Sequence, residues 1–300
     1  MAAPSGILLV DKPGGITSHD AVARARKSLD TRKIGHAGTL DPMATGLLVL
    51  GVGPATRLLT FIVGLDKTYE ATIRLGSSTD TDDADGTETA RADAATVAAV
   101  TSEQIRAGVD ALTGTISQVP STVSAIKVGG RRAYDLARAG EEVQLRPRTV
   151  TVSRLDVRAE RRTAGAIDLD VVVDCTSGTY IRALARDLGV ALGVGGHLTS
   201  LRRTRIGPLP VEGAAHVDAL GPDALRSAAE IAALVLGRFD VSADEARDLR
   251  HGKRLPGAAG RIGRAERAAA IDPLGGLVGV VERRGDDVKS AINLPEEPAA

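Results

Sequence analysis

The chain of 300 residues contains one cysteine, two phenylalanines, three tyrosines and no tryptophan. A lone cysteine, Cys175, excludes an internal disulfide and any metal site that needs several thiolates. It falls on the apolar face of a strand-like alternation and reads as a buried, inert thiol. So few aromatics exclude a nucleic-acid binder built on many base-stacking platforms. The five histidines show no metal-ligand spacing, so no metal is expected. No apolar run reaches the length of a membrane span, and Met1-Ala2-Ala3-Pro4-Ser5 lacks the basic segment and apolar core of a secretory signal. The expected location is the cytoplasm, with no membrane partner. Thr81 to Ala92 sets Gly86 where a calcium loop has its glycine. Thr81 and Ala92 then stand at the first and last ligand positions, where oxygen donors ending in a bidentate acid are required, so the loop fails as a calcium site.

Net charge is also absent, at zero, but the charge is unevenly spread. Ser78 to Asp110 holds eight acidic residues against two arginines, whereas Lys127 to Arg162 holds ten Lys/Arg against five acids. Separate basic patches can contact phosphates whatever the total, and they can equally be solvated helix faces. Lys67 to Leu75 alternates cleanly, with Tyr69, Ala71, Ile73 and Leu75 on one face of a strand. Strands are expected over 6–10, 47–52, 150–157, 167–175 and 197–206. Helices are expected from Ser18, capped by Ser18 itself, over Ser102 to Leu112 capped by Ser102, and from a Thr179 cap to Leu192. This order implies an α+β fold on a mixed, mostly antiparallel sheet with flanking helices. Residues 1–215 form the expected main domain, with 119–148 a long, mobile insertion. A helical connector over 216–236 leads to a small β-domain over 237–300.

One string stands apart: Gly35-His36-Ala37-Gly38-Thr39-Leu40-Asp41-Pro42-Met43-Ala44-Thr45-Gly46. Pro42 biases Asp41 towards extended backbone, the three glycines permit positive φ, and the apolar run from Leu47 drops into a core. Residue types alone leave two readings: an Asp that caps a helix with Pro at its first position, or a carboxylate presented for chemistry from a stiff loop. The string resembles the "GHxGxLDPxATG" motif of the TruB family of tRNA pseudouridine synthases. Further resemblances lie in the "DKPxGxTS"-like loop at Lys12, in Lys67-Thr68-Tyr69, in Gly178-Thr179-Tyr180-Ile181-Arg182, and in Leu201-Arg202-Arg203. Together they span Lys12 to Arg205.

The resemblance implies isomerisation of uridine 55 in the T loop of tRNA, without a cofactor, on a pseudouridine-synthase-like fold. It implies Asp41 as nucleophile, Arg182 as the cation that orients it, and Tyr69 stacked on the target base and acting in proton abstraction. His36 would fill the space left by the flipped base, Leu201 would wall the uracil pocket, and Tyr180 would pack nearby. Lys12 would support the active site, and Arg202 would contact phosphate. The 119–148 insertion resembles a thumb that closes over the T stem-loop, with Lys127, Arg131 and Arg132 among its basic residues. Leu249-Arg250-His251-Gly252-Lys253-Arg254 and the position of 237–300 resemble a PUA-type RNA-binding β-barrel. The expected partner is tRNA, with no obligatory protein partner and a monomeric enzyme. Two alternatives are a non-catalytic tRNA-binding or folding factor and a guide-RNA-dependent synthase. Retention of Asp41, Tyr69 and Arg182 argues against the first, and the thumb against the second.

Overall fold

The computed structural model describes residues 4–122, 127–128, 131–132 and 145–295. It divides into two compact units, Met1–Pro42 with Gly46–Gly64 and Gly207–Ala300, and Met43–Thr45 with Leu65–Ile206.

The first unit opens on β1 (Gly6–Lys12), α1 (Ser18–Ser28), β2 (Ile34–His36) and β3 (Thr45–Val52). β1 and β2 both pair antiparallel with β3. Ile7 to Val10 and Leu47 to Leu50 are each at most 3% exposed, which is why they read as unbroken apolar runs rather than alternations. α1 is capped by Thr17, not by Ser18. The Thr17 hydroxyl accepts from the Asp20 N–H (3.1 Å), and the Asp20 carboxylate accepts from the Thr17 N–H (2.8 Å). Asp20 is held below the usual carboxylate range first by the Thr17 hydroxyl, which donates to it at 2.7 Å, and then by the Thr17 N–H. A 3₁₀ turn over Gly53–Leu58 and α2 (Leu59–Ile62) close this part.

The second unit carries β4 (Lys67–Leu75), a hairpin of β5 (Ser77–Thr79) and β6 (Glu88–Arg91), α3 (Ala94–Ala99), α4 (Ser102–Ala111) and β7 (Gly114–Gln118). Then follow β8 (Lys127–Val128), β9 (Arg131–Arg132), β10 (Arg148–Thr163), β11 (Ala166–Cys175), α5 (Ile181–Ala191) and β12 (Gly196–Ile206). The strands lie in the order β12-β4-β11-β10-β7, every neighbour antiparallel. Burial on β4 follows the alternation: Tyr69, Ala71, Ile73 and Leu75 face inward, against α5. Cys175 ends β11 at 2% exposed, and burial pushes its thiol up to about 11. β10 is longer than its alternation suggests, because bulges at Val152/Arg154 and Val157/Ala159 shift the pattern midway. α4 is capped by Thr101 rather than Ser102, whose hydroxyl instead donates to Glu160 (3.0 Å).

The chain then returns to the first unit through β13 (Leu209–Pro210) and β14 (Ala215–His216), the latter parallel to β1. The expected helical connector over 216–236 is cut down to α6 (Ala228–Leu236), because Arg226 bridges Ile7 and stays extended until Ser227 caps the helix. Finally β15 (Arg238–Asp240), α7 (Ala243–Arg250), β16 (Arg267–Ile271), β17 (Leu277–Arg284) and β18 (Asp287–Asn293) build a small four-stranded sheet in that strand order. Its own core gathers Phe239, Leu249, Val278 and Val288. Among the described residues, no helix is long and apolar enough to cross a membrane.

Candidate active site

In the first unit, Asp41 is half-buried on the loop between β2 and β3, and residues 41–44 are not helical. The helix-cap reading of Asp41-Pro42 is therefore excluded. Its neighbours are fastened on both sides. The buried Ser18 hydroxyl accepts the Leu40 N–H at 2.9 Å and donates to the Leu40 carbonyl at 3.0 Å. The Pro42 carbonyl accepts from the Gly15 N–H at 2.9 Å and from Lys12 Nζ at 3.3 Å. Lys12 is fully buried and also donates to the carbonyls of Pro13 and Ile16, both at 2.8 Å. An ammonium taken out of water needs such acceptors, and here they draw the β1–α1 loop onto the Asp41 loop. Gly38 and Gly46 take positive φ (94° and 98°), which lets the loop turn back into β3. Gly35 does not; it lies in β2, where an added Cβ would stand 3.3 Å from Leu59. His36 is half-buried, its ring edge-on to His19 at 5.7 Å.

In the second unit, Arg182 lies in the first turn of α5 at 4% exposed, which excludes an ordinary surface arginine. Its Nη1 donates to Asp83 Oδ2 at 3.0 Å and to the Thr81 carbonyl at 2.8 Å. Asp83 is 3% exposed, and its other oxygen accepts from the Thr81 hydroxyl (2.6 Å) and the Asp85 N–H (3.1 Å). Sequence reasoning missed Asp83: the string is no calcium loop, yet one of its acids is a buried ion-pair partner. Next to it Asp82 adopts positive φ (60°) and meets Arg186 at 3.2 Å. Burial pushes its carboxyl upward, against the Ser121 hydrogen bond and the Arg186 charge.

Tyr69 is 7% exposed and registers opposite Val173 on one side and the buried Arg203 on the other. Two residues before it, Lys67 is also buried, and burial, followed by the nearby Arg203 charge, pushes its ammonium down to about 8. Tyr180 is the N-cap of α5 and has the Arg148 guanidinium 5.7 Å from its ring centre; the helix does not begin at a Thr179 cap. Leu201 and Arg202 line a groove of about 700 Å³ together with Glu70, Asp170, Arg158 and Met43. Thr45 lines it too and donates to the Leu201 carbonyl at 3.5 Å. Met43 and Thr45 follow Asp41 by two and four positions in the chain. Tyr69, Tyr180 and Arg182 are not among the lining residues of this groove. In backbone register, Lys127 pairs with Arg132 and Val128 with Arg131 on the β8–β9 ladder. The rest of the expected insertion, residues 123–126, 129–130 and 133–144, lies outside the described residues.

Residues 26–181 match the family model of the TruB family pseudouridylate synthase N-terminal domain. Residues 182–233 match the tRNA pseudouridylate synthase B C-terminal domain, and 236–295 the tRNA pseudouridine synthase II C-terminal domain. The tRNA pseudouridine synthase B of Leifsonia xyli subsp. xyli is 56% identical over 297 residues, 99% of this chain and 98% of that protein. That of Rhodococcus jostii is 54% identical over 291 residues, 96% of this chain and 93% of that protein. Among solved structures, a chain of an H/ACA RNP bound to a substrate RNA containing 2'-deoxyuridine aligns with TM-score 0.69 at 24% identity, over 97% of this chain and 85% of that one. A chain of a Cbf5-Nop10-Gar1 complex aligns at 0.68 and 24%, over 97% and 84%, and the two share the fold. The motifs around Asp41, Tyr69 and Arg182 all lie within or at the edge of spans that match one family from end to end, and this chain belongs to the TruB family of pseudouridylate synthases.

Proposed function

We propose that this protein isomerises uridine 55 in the T loop of tRNA to pseudouridine, acting alone and in the cytoplasm. The reaction breaks the bond between the ribose C1' and N1 of uracil and forms one between C1' and C5. The C5 proton leaves and N1 regains one, so the exchange is redox-neutral and needs no external group or cofactor. Asp41 supplies the nucleophilic carboxylate, attacking either the uracil ring or the ribose. Arg182 holds that carboxylate ionised and aimed, since guanidinium stays charged and grips two oxygens at once. Tyr69 stacks on the uracil and takes part in removal of the C5 proton. The target base must leave the folded loop, so His36 occupies the space it vacates, while Leu201 walls the base pocket. Arg202, with Lys127, Arg131 and Arg132 of the 119–148 thumb, contacts phosphates; Tyr180 packs beside Arg182, and Lys12 braces the Asp41 loop. Residues 237–300 serve as a PUA-like RNA-binding domain.

The observation that carries this reading is the setting of Asp41: a carboxylate outside any helix, between two residues whose backbones are each tied to the β1–α1 segment. The test uses the purified protein with an unmodified T-arm hairpin tritiated at uracil C5. Release of tritium to water, with no other protein or guide RNA present, is the expected result. Release only after a guide RNA is added would support the guide-dependent alternative, and binding without release the non-catalytic one; either outcome overturns the proposal.

A further inference from the structure

The N-terminus of α5 has no side-chain cap of its own. Tyr180 stands at the cap position but its side chain makes no cap bond to the helix, and the Thr179 hydroxyl is turned back to the Thr176 carbonyl at 2.9 Å. The helix start is instead held from 62 residues away. Gln118, the last residue of β7, is fully buried. Its Oε1 accepts the Tyr180 N–H at 2.8 Å, and its Nε2 donates to the Tyr180 carbonyl at 3.0 Å. Only an amide side chain offers a neutral donor and a carbonyl acceptor in one planar group, which is what a peptide unit presents at a strand edge. A buried amide left without partners costs about 1–3 kcal/mol, so Gln118 at this position is specific for a backbone it can grip. A second tie lies a turn along the helix, where Arg186 Nη2 donates to the carbonyl of Val119 at 2.7 Å while its Nη1 reaches Asp82 at 3.2 Å.

These bonds bear on Arg182, two residues beyond Tyr180. Its guanidinium is aimed at its far end by Asp83 and Thr81. The place from which its side chain springs depends on where α5 begins, and that is fixed at Tyr180. We propose that Gln118 is a positioning residue for Arg182, acting through the backbone of Tyr180. The inference rests on the role given to Arg182 above.

The test measures tritium release in single turnover at saturating T-arm hairpin, and hairpin binding separately, for Gln118→Ala and Gln118→Glu. The glutamate keeps the shape and one acceptor but sets an anionic oxygen against the Tyr180 carbonyl. Both variants are expected to lose on the order of a hundredfold in rate, the scale set by a misplacement of about 1 Å. Their hairpin affinity should stay within about threefold of the parent, because affinity comes mainly from phosphate and shape contacts. In an Arg182→Lys background, Gln118→Ala should cost less than about threefold more, since the group it positions is already gone. If the alanine variant fails to fold, Gln118→Glu and the shorter Gln118→Asn carry the measurement. A parental rate in a folded variant, or an undiminished loss in the Arg182→Lys background, would overturn the inference. A parent protein that releases no tritium at all would instead overturn the proposed function.

Discussion

Replacing Ser18 by alanine should slow the reaction without disturbing RNA binding, and the structure sets the scale. The hydroxyl makes both of its bonds to one residue, accepting the Leu40 N–H and donating to the Leu40 carbonyl. Ser18 is 1% exposed and Leu40 3%, so neither backbone group can turn to bulk water in place. Leaving a buried donor or acceptor unsatisfied costs about 1–3 kcal/mol each, hence roughly 2–6 kcal/mol for the pair, less if a water enters the space of the lost oxygen. The loop can relieve that cost only by shifting Leu40, and Asp41 is the next residue. A shift of about 1 Å in a reacting group is worth about a hundredfold in rate. Two measurements check this: single-turnover tritium release, and hydrogen exchange at the Leu40 amide. The control is Thr17→Ala, which should destabilise α1 by about 1 kcal/mol through loss of its cap while leaving Leu40 and the rate alone. A Ser18→Ala protein with the parental rate and an equally protected Leu40 amide would refute the reasoning.

Asp41→Asn should abolish tritium release while hairpin affinity stays within about tenfold, because binding draws mainly on phosphate and shape contacts; a near-parental turnover would remove Asp41 as the nucleophile. Arg182→Lys should be severely impaired even though charge is conserved, since an ammonium lacks the planar fork that pairs with carboxylates, and parental activity would contradict the role given to it. Replacing Arg131 and Arg132 together by alanine should weaken tRNA binding and flatten its salt dependence by roughly one unit of slope per lost phosphate contact, so an unchanged slope in a salt titration would count against phosphate contacts there. Lys67 is lowered from an ordinary 10.5 to about 8 by burial. Between those two values the unfolded chain binds more protons than the folded one, so stability should rise as pH increases from about 8 to 10.5. Lys67→Met should flatten that rise in denaturant unfolding curves, and a variant that retains the full rise would show that Lys67 is not its source.

The elements that could be read from sequence were those whose cause is local. The clean alternation of Lys67 to Leu75 places β4 with the faces the structure shows. The apolar run behind Asp41 is the core strand it reads as. The helix starts show where local reasoning stops. Thr17 and Ser18, like Thr101 and Ser102, are adjacent residues with equal capping chemistry. In both pairs the serine is not the cap, and in both its hydroxyl is engaged elsewhere: Ser18 with Leu40, Ser102 with Glu160. Asp83 and Gln118 were invisible for the same reason, because their partners Arg182 and Tyr180 lie 99 and 62 positions away. A local pattern reports propensity and periodicity, and neither carries such a pairing.

The candidate site differs from the rest of the molecule in what it buries. Among the described residues of the second unit, the buried charges are Lys67, Arg182 and Arg203 with one carboxylate, Asp83. Taking a charge out of water is costly, and a buried ion pair can usually be replaced by well-packed apolar residues with no loss of stability. Burying cations is therefore no gain for folding alone. It suits a site that must keep carboxylate ionised and steady the negative charge that develops as a glycosidic bond is exchanged. All three cations lie on or beside the Tyr69 strand or on the helix that bears Arg182: Lys67 two residues before Tyr69, Arg203 directly opposite it. Replacing Arg203 by methionine should then lower the rate of tritium release, and a folded variant with the parental rate would show that this cation serves the fold alone.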